Sequence, residues 1–196
     1  MVRFERQPPG TAITRSTLSV GALLAALAAW LVVARQPGKA AIAALVSGVL
    51  LLVGGHRANH GAGGPTDRMA DELLDRVWDG TVLGAAAWVA RAGEPGVALA
   101  ALGALCLSAL SAYVRARGAS LAYSVEESHL TRGLRYGLVV IGVGFDHAWA
   151  LWFAACVSGL AVVVRTSQVA REERTTQTAR EAPSPSAVPA VREERP

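Results

Sequence analysis

The sequence predicts an all-α, polytopic membrane protein with six hydrophobic helices. Three observations carry that expectation. Hydrophobic residues make up 52% of the 196-residue chain, and its mean hydropathy is +0.35, too apolar for an ordinary soluble domain. Stretches such as Leu18 to Ala34 and Val97 to Ser111 hold no charged residue at all. These stretches recur along the chain, separated by short breaks rich in Gly, Pro or charge.

Spans are expected near 18–34, 40–54, 73–90, 96–114, 133–145 and 148–164. Arg3, Arg6 and Arg15 before the first apolar run resemble a signal peptide, but the run is longer than such a core needs. No small-residue cleavage site precedes the polar turn at Arg35 to Lys39, so a retained span is expected. The second and fifth segments are short, about 20 Å at 1.5 Å per residue, so their polar ends must snorkel or line a protein cavity. Domain limits follow: an N-terminal cytoplasmic segment 1–17, a six-helix membrane domain 18–165, and a tail 166–196. The tail is polar, holds Pro183, Pro185, Pro189 and Pro196, repeats Arg-Glu-Glu-Arg at 171–174 and 192–195, and is expected to be disordered and cytoplasmic.

With six spans, all but Arg35, Lys39 and Arg91 of the 19 Lys and Arg residues fall on one side. Basic residues accumulate on the cytoplasmic side of short loops, so both termini are expected in the cytoplasm of a multi-pass cell-membrane protein. The basic residues do not form one face, which argues against nucleic acid as a partner. Cys106 and Cys156 lie inside apolar runs and read as small buried hydrophobes, not as a disulfide or metal pair. Trp30, Trp78, Trp88, Trp149 and Trp152 mostly fall near span ends and read as interfacial anchors.

Asp67, Asp71, Asp75 and Asp79 recur every four residues at the start of the third span, one stripe of a helix over about 18 Å of rise. Intramembrane carboxylates are costly unless paired, metal-bound or hydrated, so they mark a functional cavity by default. The plainer alternative is pairing with Arg68 and Arg76 at the interface. His56 and His60 have the i, i+4 spacing of two imidazoles on one face, and with Asp71 and Asp75 could build a single metal site; the alternative is a solvated loop before Gly61, Gly63 and Gly64. Arg115, Arg117, Arg132 and Arg135 fall near the cytoplasmic ends of the fourth and fifth spans, where guanidinium forks could bind phosphate or simply obey the positive-inside rule. Gly80 with Gly84, and Gly133 with Gly137, form small-xxx-small faces for helix packing, within the bundle or across a homodimer.

These residues resemble the CDP-alcohol phosphatidyltransferase family, whose signature is DxxDGxxAR, eight residues, then GxxxDxxxD. Leu50, Val53, Gly54, Arg57, Ala58, Asp67, Asp71 and Asp75 stand at that spacing with no gap. Leu74 to Gly80 is similar to the family's LDRxxDG continuation. Ser111 to Arg117 is similar to the SYxxAR segment of its phosphatidylinositol-phosphate synthase branch. Arg132 and Arg135 match the ERxxR element, with Thr131 in place of the glutamate. The resemblance covers roughly residues 40–165.

The resemblance implies a six-helix phosphotransferase bundle that moves a phosphatidyl group from CDP-diacylglycerol, or a related CDP-alcohol, to an alcohol acceptor with release of CMP. It implies Asp75 as base, Asp71, Asp75 and Asp79 on Mg²⁺ or Mn²⁺, and a CDP-binding region at Gly54 and Arg57. Acceptor phosphate would lie on Arg132 and Arg135, with Arg115 and Arg117 nearby. Leu50 and Val53 stand where the first two acids belong, Asp67 replaces a glycine, and Arg57-Ala58 reverses the expected order. Neither leucine nor valine supplies the hard oxygen ligands that these cations need. The alternative is a catalytically inactive paralogue, acting as a structural or regulatory partner and pairing with an active relative or with itself.

Overall fold

The computed structural model describes residues 9–60, 64–123, 129–145 and 147–181. It is all-α: α1 Pro9–Val33, α2 Pro37–His60, α3 Pro65–Ala90, α4 Pro95–Ser120, α5 His129–Gly144 and α6 Ala148–Glu181. Each of the first four helices opens on a proline, whose missing N–H and fixed φ suit the first helical position. Short connections make successive helices antiparallel. The turn after α1 closes on Arg35 at φ 58°, with Arg35 N–H donating to Val32 C=O and Gln36 N–H to Leu31 C=O. That is a Schellman turn with arginine in the left-handed position glycine usually takes, and the same motif ends α4 on Ala122 at φ 62°.

Among the described residues, four helices are long and apolar enough to cross a membrane: Ile13–Val33, Pro37–Ala58, Pro95–Ser120 and Ala148–Thr175. The chain is therefore a multi-pass membrane protein. The charged residues of α3 and the 16 residues of α5, about 24 Å of rise, keep those two below the same criterion.

Packing runs opposite to a soluble bundle. Small residues fill the contacts between helices: Ala25, Ala28, Ala40, Ala44, Ala100, Ala104 and Ala154 are wholly buried, whereas Leu23 is 72% and Leu160 64% exposed. Small side chains let helix backbones approach, and large apolar ones turned outward suit lipid. At Gly144, an added Cβ would collide with that of Ala41, so α5 and α2 meet backbone to backbone there. Gly80, Gly84 and Gly137 behave differently, because a Cβ added at any of them meets nothing within 4 Å. The Gly80 and Gly84 face is therefore not used against another described element of this chain.

Three sequence expectations change. Cys106 and Cys156 are exposed, free thiols on outward faces of α4 and α6, because an apolar run in this bundle points as readily outward as inward. Trp78 is no interfacial anchor; it is fully buried, its ring centroid 4.2 Å from that of Tyr136. The first part of the tail expected to be disordered, 166–181, continues α6 as helix. Neither Pro nor Gly interrupts it, and its Arg, Glu, Gln and Ala residues favour helix. Residues 182–196 lie outside the described ones.

Candidate functional site

The four aspartates of α3 meet the guanidinium groups of three other helix turns at one end of the bundle. Each is about 1% exposed. A period of four keeps them on one stripe of α3, and the side chains that reach that stripe come from α1, α4 and α5.

Each rung of the stripe has its own partners. Asp67 Oδ1 accepts from Arg15 Nε of α1 at 2.9 Å, and its Oδ2 accepts from the Gly64 amide at 3.0 Å. Asp71 accepts from Arg132 Nη1 of α5 at 3.1 Å and 3.0 Å, one contact to each oxygen. Asp75 accepts from Arg135 Nη2 at 3.0 Å and 3.2 Å, from the Tyr136 hydroxyl, and from Arg76 Nη2 beside it, while Arg132 Nε lies 3.7 Å away. Asp79 Oδ2 accepts from Ser108 Oγ of α4 and lies 3.2 Å from both Arg76 Nη1 and Arg135 Nη2. Arg76 is fixed in turn by the Ser108 carbonyl at 2.8 Å.

Burial makes these contacts matter. An isolated charge in a water-poor interior costs several kcal/mol, so each carboxylate needs a cation and each guanidinium an anion. Asp71, Asp75 and Asp79 on α3 balance Arg76, Arg132 and Arg135 in formal charge. The Arg15 and Asp67 pair differs because the Arg15 side chain is 45% exposed. The Arg15 guanidinium, then the Gly64 amide, hold the Asp67 carboxyl below the usual carboxylate range. Since the folded state binds that proton more weakly, the pair stabilises above the unfolded value of about 3.9 and its contribution fades as pH falls below it. At such exposure that contribution stays within about 1 kcal/mol.

The structure brings together Asp71, Asp75, Asp79, Arg132 and Arg135 among the residues singled out from sequence. Arg76 pairs with Asp75 and Asp79 as the plainer alternative held, whereas Arg68 is exposed. Arg115 lies 3.4 Å from the exposed Glu72, and Arg117 is exposed beside Ser120. On α2, Gly54 is packed against Leu18, Arg57 is exposed and Val53 is 42% exposed on an outward face. His56 is exposed, and the His60 side chain lies outside the described ones.

Gly55, rather than Gly54, abuts the acids. A Cβ at Gly55 would collide with the Asp71 carboxylate. Sequence reading also missed Arg15, Ser108, Tyr136 and Arg165 as polar partners; the buried Arg165 of α6 donates to Ser111 Oγ of α4. A hydroxyl at 108 and 111 inside an uncharged run was the available signal, because a three-residue spacing puts both on one face of α4.

A pair of divalent cations does not fit these residues. Among the described residues no group of three or more His, Cys, Asp and Glu side chains is placed to hold a metal ion. Both oxygens of Asp67, Asp71 and Asp75 already accept hydrogen bonds, leaving Asp79 Oδ1 as the one stripe oxygen with no such partner among the described residues. A cation pair would have to compete with the guanidiniums of Arg76, Arg132 and Arg135 for these oxygens.

No known protein family, no curated protein and no solved structure matches the chain.

Proposed function

We propose that the chain is a non-catalytic membrane protein built like a CDP-alcohol phosphatidyltransferase, serving phospholipid biosynthesis as a structural or regulatory partner. In this reading α3 and α5 complete six crossings, both termini are cytoplasmic in the cell membrane, and the acid stripe lies at the cytoplasmic end. The positive-inside bias supports that orientation, because Arg35, Lys39 and Arg91 alone among the Lys and Arg residues fall on the other side. The observation that carries the reading is the acid stripe itself. Its carboxylates are engaged by guanidiniums, while Leu50 and Val53 occupy the positions of the first two family acids. Transfer from CDP-diacylglycerol needs anionic ligands for a metal pair and a base free to take the acceptor proton. Asp75 would have to release Tyr136 and Arg135 first.

A second reading, phosphatidyl transfer with Asp75 as base, is supported by the convergence of Asp75 with Arg132 and Arg135 in one buried cluster. One assay separates the two. Purified protein in lipid is given CDP-diacylglycerol, Mg²⁺ or Mn²⁺ and a panel of alcohol and phosphorylated alcohol acceptors, and CMP is measured. The expected result is no CMP above that from Asp75→Asn or from protein-free lipid. Metal-dependent CMP release that Asp75→Asn abolishes would establish the second reading.

A further inference from the structure

The acid stripe has a cationic partner set drawn from the chain itself. Asp71, Asp75 and Asp79 are each about 1% exposed, and Arg132 and Arg135 are 3% and 6% exposed, so neither set is neutralised by bulk water. The contacts are not incidental surface pairs. Arg132 reaches both oxygens of Asp71 and lies 3.7 Å from Asp75, Arg135 bridges Asp75 to Asp79, and Arg76 bridges the same two acids from α3. Each arginine thus lies against two carboxylates, as a cation that joins acidic ligands does.

We propose that Arg76, Arg132 and Arg135 take the place of divalent cations at this stripe, making it a metal-independent charge lock between α3 and α5. The inference rests on the proposed reading only in treating the stripe as the counterpart of a metal site. Among the described residues three aspartates face three arginines, a balance that weakens the attraction for a divalent ion, and α5 supplies two of the three cations. A guanidinium also cannot be lost to a chelator, so the helices are held without any exchangeable component. The arginines therefore oppose divalent-cation binding at the stripe, in addition to the acids missing at Leu50 and Val53.

Removing those charges should leave the buried acids able to attract a divalent cation. The probe is Mn²⁺ alone, its free ion read by electron paramagnetic resonance, with full-length protein in detergent. Wild type is expected to leave the free Mn²⁺ signal unchanged by the stripe, so that Asp71→Asn titrates like wild type. Arg132→Gln with Arg135→Gln leaves the buried acids short of two positive charges, and Mn²⁺ affinity is expected to rise about tenfold or more. Arg132→Lys with Arg135→Lys keeps the charge and should behave like wild type.

Mn²⁺ binding by wild type that Asp71→Asn removes would overturn the proposal. So would a glutamine variant that elutes like wild type yet binds no more Mn²⁺. Should the glutamine variant not fold, the comparison of wild type with Asp71→Asn decides alone. Mn²⁺ binding without CMP release would sink the lock and leave the non-catalytic reading standing; CMP release would sink that reading.

Discussion

Asp75→Asn is expected to destabilise the protein by about 3–5 kcal/mol, the loss typical of leaving buried charge without its partner. The substitution changes shape little, so the effect isolates charge. Arg135, Arg132 and Arg76 all lie within ion-pair distance of this one carboxylate, and the asparagine would remove the acid that all three share. Polar contacts inside membrane bundles contribute only about 0.6 kcal/mol on average, because the unfolded helices find other partners in the bilayer. The two magnitudes differ enough to decide between them. Unfolding midpoints in a denaturing detergent titration measure the loss, and a loss under about 1 kcal/mol would mean the carboxylate is hydrated instead of locked. Adding Arg135→Gln to Asp75→Asn should recover part of the stability, since the pair is coupled.

Gly55→Val is expected to cost about 1–3 kcal/mol through overpacking, although position 55 carries no side chain to lose. The nearest atoms to an added Cβ are those of the Asp71 carboxylate, which Arg132 holds in place from α5. A flexible side chain could swing aside; one held at both oxygens cannot do so without breaking its ion pair. The same unfolding titration in an Arg132→Gln background should show a smaller penalty. Gly103→Ala is the control, because nothing lies within 4 Å of its added Cβ, and alanine in place of mid-helix glycine should stabilise by up to about 1 kcal/mol. Equal losses at 55 and 103 would mean that the close approach of α2 to α3 is not what the glycine serves.

Much of this architecture was legible in the sequence because lipid imposes length and apolarity on each helix separately. Six helices fall where six segments were expected, and the four-residue period of the acids placed them on one stripe before any partner was known. Arg132 and Arg135 were legible as a pair through their resemblance to the ERxxR element, whose three-residue spacing puts both on one face of α5. Partners chosen by tertiary contact were not legible. Arg15 lies 52 residues from Asp67, and Tyr136 lies 61 from Asp75, distances over which no local rule acts. Burial was misread at Cys106, Cys156 and Trp78 for a related reason, since hydropathy cannot separate a lipid-facing surface from a protein core when both are apolar. Polarity, the late prolines and the Arg-Glu-Glu-Arg repeat suggest disorder from 166 onward, but all four prolines lie beyond Glu181 and the uninterrupted helix formers before it extend α6.

The most direct measurement is thermal unfolding of the purified wild-type protein in a chelator, compared with an excess of Mg²⁺ or Mn²⁺. A stripe closed by its own arginines should unfold at the same temperature in all three conditions, because an ion that does not bind the folded state cannot stabilise it. A midpoint that rises with either cation, and no longer rises in Asp71→Asn, would contradict it.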